Sequence, residues 1–361
     1  MGIIFGYNLK VNIIFGINMS DKREELQVFI KLNGEYRNIT SLTYNISIKF
    51  SIFELSSRLN FIYRDIYDFD ITPGDTLMCE ITDLNTNSKT KLYYSVFGIR
   101  FFKGESADTE KMEFIVDALD VHSFGFYQSS DSMFLNGDVS TMIETYMKHI
   151  FSQNNLTEYP INFDTDSSNI TMDEFLSLTR HVIKEIQDLL SYGKSLIAYR
   201  SIKTINIKNF KTFIKTKQSQ PPVLIISEKE KNQNQNFTYS FQYNYDYYQS
   251  LNNGLYGYYV HTWDKTQNKM KKFYGDVEIS EGSNSPVVSP TVKYWFSPNF
   301  IFNFGYTMKF NQLKLYDIGD IFKYNALNLT SKYNGNYMII DVDILKNEKG
   351  LVSYNYILLK I

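Results

Sequence analysis

The chain of 361 residues holds one cysteine, Cys79, and only seven prolines. A lone thiol excludes an internal disulfide and fits a reducing compartment. It lies in the apolar run TLMCEIT, where a buried inert thiol is expected rather than a nucleophile. A hydrophobic share of 43% is that of a globular protein, and no stretch reads as a solvated disordered tail. The formal charge of −2 removes any global pull toward nucleic acid or an anionic membrane. No segment approaches about 18 consecutive apolar residues, so no membrane span is expected. The opening MGIIFGYNLKVNIIFGINM is apolar, but it lacks a charged start and a small-residue cleavage site and carries Lys10 mid-run. It reads better as a strand, or as sequence upstream of a start at Met19.

Chemical motifs are scarce as well. His122, His149, His181 and His261 are scattered, and no pair has metal-ligand spacing. Gly193-Lys194 resembles the end of a phosphate-binding loop, yet Asp188 stands where that loop needs glycine. The pair reads as a helix C-cap. No G-x-S-x-G elbow is present. The 39 acidic residues are too many for any carboxylate pair to be singled out, and Asp341 and Asp343, either side of Val342, read as a solvated face. Sequons such as Asn38-Ile-Thr40 and Asn169-Ile-Thr171 arise readily in an Asn-rich chain. No catalytic, cofactor or metal residues are assigned; the chain is expected to be neither an enzyme nor a cofactor carrier.

What is abundant is aromatic. Tyr (29) and Phe (28) bring the aromatic share to 16%, which a low-GC codon bias explains in part and a β-rich fold in the rest. Two distant stretches look like versions of one another. DFDITPGDTLMCEITDLN followed by KTKLYYSVFGIRFF (Asp68–Phe102) matches LKLYDIGDIFKYNAL followed by YNGNYMIIDVDIL (Leu313–Leu345). Each reads as a tight turn, a short strand, a polar excursion and a long alternating strand. Gly74 and Gly319 are free to take positive φ, and Asp75 and Asp320 follow them with carboxylates able to bond local backbone. Gly335 marks the turn into the second long strand. Two copies of one small β unit in a single protomer are therefore expected.

From Leu26 to Phe126 the runs QVFIKL, TYNISIKFSIF, LNFIYRDIY, TLMCEIT, KLYYSVFGIRFF and KMEFIVDALDV read as strands of a small barrel or sandwich. The period then changes. Asp138 is placed to cap a helix with Val139, Met142, Ile143, Tyr146, Met147 and Ile150 on one face. Thr171-Met-Asp-Glu174 reads as a capping box opening a second helix through Phe175, Leu178, Val182, Ile186 and Leu189, ended by Gly193. KSLIAYR returns to strand, and QSQPP at 218–222 reads as a loop. Lys203, Lys208, Lys211, Lys215 and Lys217, with Phe210 and Phe213 between them, fit either a nucleic-acid track or, better, an edge strand guarded against aggregation. From Phe237 to Tyr247, Phe and Tyr alternate with Thr238, Ser240, Gln242, Asn244 and Asp246. The aromatic side reads as a core or intersubunit face rather than a binding platform.

Several ordered segments resemble the baseplate hub protein of T-even-like contractile-tailed phages. ITSLTYNISIKFS with LNFIYRD is similar to that family's first barrel strands, and KTKLYYSVFGIRFF with KMEFIVDALDVHSF to the hairpin and exit that follow. DVSTMIETYMKHIF and ITMDEFLSLTRHVIKEI fall where the family has its second-domain helices. FTYSFQYNYDYYQSLNNGLYGYYVH resembles the entry to the second barrel, and LYDIGDIFKYNAL with YNGNYMIIDVDIL its closing strands. Type VI secretion spike proteins share the plan.

The resemblance covers roughly 20–361 and implies an α+β fold with two similar β-barrel tube domains, at 20–128 and at 204–260 plus 300–361. An N-terminal extension (1–19), a helical α/β insertion (129–203) and a peripheral insertion (261–299) complete the expected layout. It further implies a structural virion protein, assembled in the host cytoplasm and resident in the phage tail. Such a hub is a homotrimer that joins a sixfold tail tube to a threefold central spike. Its partners are the tail tube, spike and tape measure proteins, and it leaves a channel for genomic DNA during ejection. Obligate interfaces on the order of 2,000 Å² or more are expected. A lumen that lets phosphates slide avoids dense positive charge, so Thr238, Ser240, Gln242 and Asn244 are the candidate lining. A tail-associated cell-wall hydrolase and a type VI spike base are the rival readings.

Overall fold

A computed structural model describes residues 24–65, 71–104, 112–127, 131–176, 182–193, 196–227, 238–244, 258–264, 269–274, 293–296, 305–325 and 332–361. The first run of strands is β1 (Glu24–Leu32), β2 (Glu35–Asn38), β3 (Thr43–Ser51), β4 (Arg58–Asp65), β5 (Thr76–Asp83), β6 (Lys89–Gly104) and β7 (Met112–Asp120). A mixed stretch follows, with α1 (Val121–Gly125), β8 (Phe134–Asp138), α2 (Val139–Gln153), β9 (Asn162–Thr165), β10 (Thr171–Leu176), α3 (Val182–Tyr192), β11 (Leu196–Arg200), β12 (Thr204–Asn209) and α4 (Phe210–Ser219). The last run is β13 (Leu224–Ser227), β14 (Thr238–Asn244), β15 (Tyr258–Asp264), β16 (Lys269–Tyr274), β17 (Lys293–Phe296), β18 (Gly305–Gln312), β19 (Ile321–Asn325), β20 (Gly335–Lys346) and β21 (Val352–Lys360). The fold is α+β and mostly β.

Among the described residues, thirteen strands form one sheet in the order β14-β18-β21-β20-β3-β4-β7-β6-β5-β1-β2, with β19 on β20 and β13 on β19. Period-two burial explains these strands: Leu26, Val28 and Ile30 of β1 are buried in turn, as are Tyr354, Tyr356 and Leu358 of β21. The sheet contains the same ordered unit twice. In β3–β7 the third strand pairs the fourth, the fourth the fifth, the fifth the second and the second the first, all antiparallel. The set β14, β18, β19, β20, β21 repeats that order, again all antiparallel.

The repeat extends to individual hydrogen bonds. Gly74 takes φ +98° and Gly319 +88°, a region open to glycine because it has no Cβ. Gly74 N donates to Val96 O at 2.8 Å, and Val96 N to Asp75 O at 2.9 Å. In the second copy Gly319 N donates to Ile339 O at 2.9 Å, and Ile339 N to Asp320 O at 3.0 Å. The carboxylate of Asp75 accepts from Thr72 N at 2.7 Å, and that of Asp320 from Asp317 N at 2.9 Å. One residue on, both long strands bulge against their next partner, between Val96 and Gly98 in β6 and between Ile339 and Asp341 in β20. Gly335, at φ +138°, opens β20 as expected. The first three residues of the earlier copy, 68–70, lie outside the described residues.

A second core fills the mixed stretch, where Met142, Ile143, Tyr146, Met147 and Ile150 of α2 pack on Ile186 and Leu189 of α3 and on Ile205 and Ile207 of β12. Asp138 caps α2 as expected, accepting from Ser140 N at 3.1 Å and Thr141 N at 3.4 Å. The expected capping box is not one. Thr171–Leu176 is strand β10, paired with β8, and helix α3 is described over Val182–Tyr192. Pairing with β8 satisfies that backbone and buries Met172, so tertiary context overrides a local S/T-x-x-E pattern. Strands β16-β15-β17 form a sheet of their own, carrying Trp263 and Trp295.

Candidate functional site

The seam between the two repeats is where β3 lies antiparallel to β20, from Ser51↔Asp341 to Ile46↔Lys346. Ser47 Oγ donates to Asp343 Oδ1 at 2.7 Å across it, and Lys346 Nζ donates to Leu26 O at 2.9 Å. Burial pushes the carboxyls of both Asp341 and Asp343 up. Both are half-buried and alternate with buried Val342 and Ile344, so the pair lies on the face away from the core, as expected, with Ser47 bonded to Asp343 on that face.

Near one end of the seam a cleft of about 290 Å³ is lined by Glu24, Asp83, Lys203, Lys314, Asp317 and Asp320. Its acids are turned to structural use. Asp317 Oδ1 accepts from Ile202 N at 3.0 Å and Ile318 N at 2.8 Å, while Asp320 holds the turn. Burial raises both carboxyls against those hydrogen bonds. Glu24 accepts from the Tyr354 hydroxyl and from Leu315 N at 3.4 Å. Burial pushes Glu24 up to about 7 from 4.5, with the Leu315 amide opposing it. An acid that ionises less readily folded than unfolded favours the fold below about pH 4.5, and this benefit is lost as pH rises to about 7. Glu24→Gln is therefore expected to stabilise the fold at pH 8 by about 1 kcal/mol, after discounting for solvent screening. At pH 4 it should change little, and thermal melts at the two pH values check this.

The lysine run does not form one strand. Lys203 is exposed before β12, and Lys208 lies on β12 with Nζ bonded to Asp164 and, at 2.9 Å, to Asp166. Lys211, Lys215 and Lys217 fall on α4. The guarded edge strand is corrected accordingly: the apolar residues Phe210 and Phe213 are buried at helical spacing, which a period-two reading mistakes for alternation. Lys217 lies over the Phe213 ring, and α4 covers the second turn, with Phe213 Cζ 3.2 Å from where a Cβ on Gly319 would stand.

Thr238, Ser240, Gln242 and Asn244 occupy alternate positions of β14, opposite Asn311, Lys309, Thr307 and Gly305 of β18. Ser240 is exposed. Residues 237 and 245–247 of the aromatic run lie outside the described residues. Cys79 is buried and burial pushes its thiol up, as befits an inert side chain. Among the described residues no group of three or more His, Cys, Asp and Glu is placed to hold a metal ion, and no helix is long and apolar enough to cross a membrane.

A buried joint beneath the first repeat was not foreseen. Asp120, 2% exposed, accepts from His122 N at 3.0 Å and Ser123 N at 3.3 Å, and pairs with Arg200 Nε at 3.3 Å. Burial alone would raise this carboxyl; Arg200 and His122 outweigh it and hold it down at about 2. Asp120 directly before VHSF was a readable N-cap, whereas its partner eighty residues on was not.

No protein-family model matches the chain, and neither does any curated protein sequence. Solved structures do. The tail protein from Neisseria meningitidis MC58 superposes with a TM-score of 0.58 at 9% identity, over 93% of this chain and 97% of that one. The 43 kDa tail protein of prophage MuSo2 from Shewanella oneidensis gives 0.54 at 9% identity, over 92% and 98%. A chain of the lidded Francisella PdpA–VgrG complex gives 0.53 at 12% identity, over 95% of this chain and 53% of that one. The fold is the one these tail proteins have. The resemblance read from the sequence, to the baseplate hub, agrees in fold with these neighbours.

Proposed function

We propose that this chain is the structural hub of a phage tail baseplate, acting as a homotrimer and not as an enzyme. The observation that carries the reading is the unit repeated within one chain, down to matching turns and bulges. Each repeat closes as a small barrel, within 20–128 and within 204–260 plus 300–361, the segments 129–203 and 261–299 lying outside the barrels. Three copies then present six like units on one side and threefold symmetry overall. Such a ring joins a sixfold tail tube to a threefold spike. The tail tube, central spike and tape measure proteins are its neighbours in the virion. The β14 positions Thr238, Ser240, Gln242 and Asn244 line a channel through which DNA passes on ejection, without a dense ring of lysines to hold phosphates.

Light scattering on the purified protein at micromolar concentration is expected to give the mass of three chains; a stable monomer would overturn the trimer. Zymography on peptidoglycan is expected to show no clearing. Clearing abolished by one carboxylate substitution would favour a cell-wall hydrolase instead. Likeness to a chain of the PdpA–VgrG complex, over 95% of this chain and 53% of that one, supports a type VI spike base as the second reading. Association of the purified protein with a contractile-phage tail tube rather than a secretion tube decides between the two.

A further inference from the structure

Where the seam between the repeats ends, at Ile46↔Lys346, the surface opens into a groove of about 810 Å³, a size at which ligands are held. Strand β1 contributes Glu25 and Gln27, and the turn from β20 to β21 contributes Asn347, Glu348 and Lys349. The turn Thr40–Leu42 and the nearby ends of β2, β3 and β4 complete it. Among its fourteen described lining residues, Leu42 and Tyr44 alone are apolar. Its charges offset one another. Glu25 and Glu348 stand against Lys349, while Arg64 is paired with Glu113 at 3.0 Å and Lys346 bonds Leu26 O at 2.9 Å. A groove so short of apolar surface is no seat for a lipid or an apolar peptide. Without a net field it is no track for a polyanion either.

Three side-chain amides of the groove are fixed at one end and unspent at the other. Asn38 Oδ1 accepts from Thr40 N at 2.9 Å, and Asn347 Oδ1 accepts from Lys349 N and Leu351 N, both at 3.0 Å. Backbone donors of this kind settle which end of each amide is the oxygen. The two Nδ2 groups are left with protons that no described residue accepts. Gln27 Nε2 donates to Glu25 Oε1 at 3.2 Å, which leaves Gln27 Oε1 and Glu25 Oε2 as acceptors. Arg64 lies 5.3 Å over the Tyr44 ring and steadies the one aromatic of the lining. A ligand need not order side chains that are already held, so binding costs less entropy. Hydroxyls both donate and accept, and a neutral molecule dense in them meets every one of these ends. We propose that this groove binds a neutral glycan, with Asn38 and Asn347 donating to sugar oxygens and Gln27 and Glu25 accepting from sugar hydroxyls. The site lies within one chain and is independent of the hub reading.

Saturation-transfer NMR on the full chain tests this, with oligomers of N-acetylglucosamine, of glucose and of galactose as probes. Transfer to at least one of the three is expected. It should persist from about 50 to about 500 mM salt, because no ligand charge is neutralised. The double variant Asn38→Asp/Asn347→Asp separates binding from folding. Aspartate still accepts from the Thr40, Lys349 and Leu351 amides, so both turns are kept, but it has no proton to donate. The dissociation constant is expected to rise about tenfold or more, the scale of two lost hydrogen bonds. Asn136→Asp, exposed on β8, should leave it unchanged. Ser41→Tyr fills the groove from an exposed position and should weaken binding as well, which decides the matter should thermal melts show the double variant unfolded. No transfer to any of the three probes overturns the glycan site, as does transfer that the groove variants leave intact. Transfer confined to a heparin-derived oligosaccharide and lost at high salt also overturns it, and assigns the groove to an anion.

Discussion

Asp120→Ala is expected to lower the unfolding free energy by about 3–5 kcal/mol, the usual consequence of stranding one member of a buried ion pair. Arg200, itself 5% exposed, would lose its carboxylate while the first turn of α1 loses its cap. The double variant Asp120→Leu/Arg200→Met removes both charges and should recover much of that loss, because desolvation then falls on neither group. Urea denaturation of the three proteins checks both outcomes; a double variant that loses as much as the single one would contradict the expected recovery. Acid gives an independent test. The carboxyl of Asp120 falls from 3.8 to about 2 on folding, so its contribution is complete above about pH 4 and is lost as pH drops toward 2. That contribution is about 2 kcal/mol, and Asp120→Asn should flatten the acid limb of the stability profile by this amount.

Phe322→Ala is the second large effect, expected at about 3–5 kcal/mol. Phe322 is fully buried, with ring centroids 4.9 Å from Tyr316, 5.3 Å from Phe310 and 6.1 Å from Tyr356. Tyr356 is itself pinned: its hydroxyl donates to Lys314 O at 2.7 Å and accepts from Tyr316 N at 2.9 Å. A group held at both ends cannot collapse into the space left behind, so the cavity persists. Phe322→Leu keeps most of the volume and should lose about half as much or less. Chemical denaturation of both variants checks the order, and an alanine variant within 1 kcal/mol of wild type would contradict the packing argument.

What could be read in the sequence follows from how local each signal is. The turns at Thr72–Asp75 and Asp317–Asp320 were visible because glycine with a following aspartate is a short-range pattern, and the bonds they make are the ones that pattern serves. Strands β1, β3 and β4 were visible as period-two runs. Which strand lies beside which was not, since β3 meets β20 across most of the chain and nothing near Ile48 encodes Ile344. The errors have one origin. Thr171–Glu174 and Lys203–Lys217 each carry a pattern that suits two structures, and the choice was made by distant partners, β8 for the first and the packed face of α4 for the second. Asp343 was read onto the right face, but its bond to Ser47 of a strand distant in sequence was not legible. The lining positions of β14 were read from alternation alone, which names a face and leaves open what that face meets.

The order of strands also sets a timetable. A ribosome that has released β7 has made one complete five-strand unit, yet its β3 edge stays bare until β20 arrives. About 215–225 further residues separate the two, roughly 10–45 s at ordinary elongation rates. Throughout that interval Ile46, Ile48 and Phe50 sit on an edge that, on a polysome crowded with identical nascent chains, meets the same edge many times over. Slow codons between β7 and β18 would lengthen the exposure and lower the soluble yield, while separately expressed 20–128 would keep it open for good.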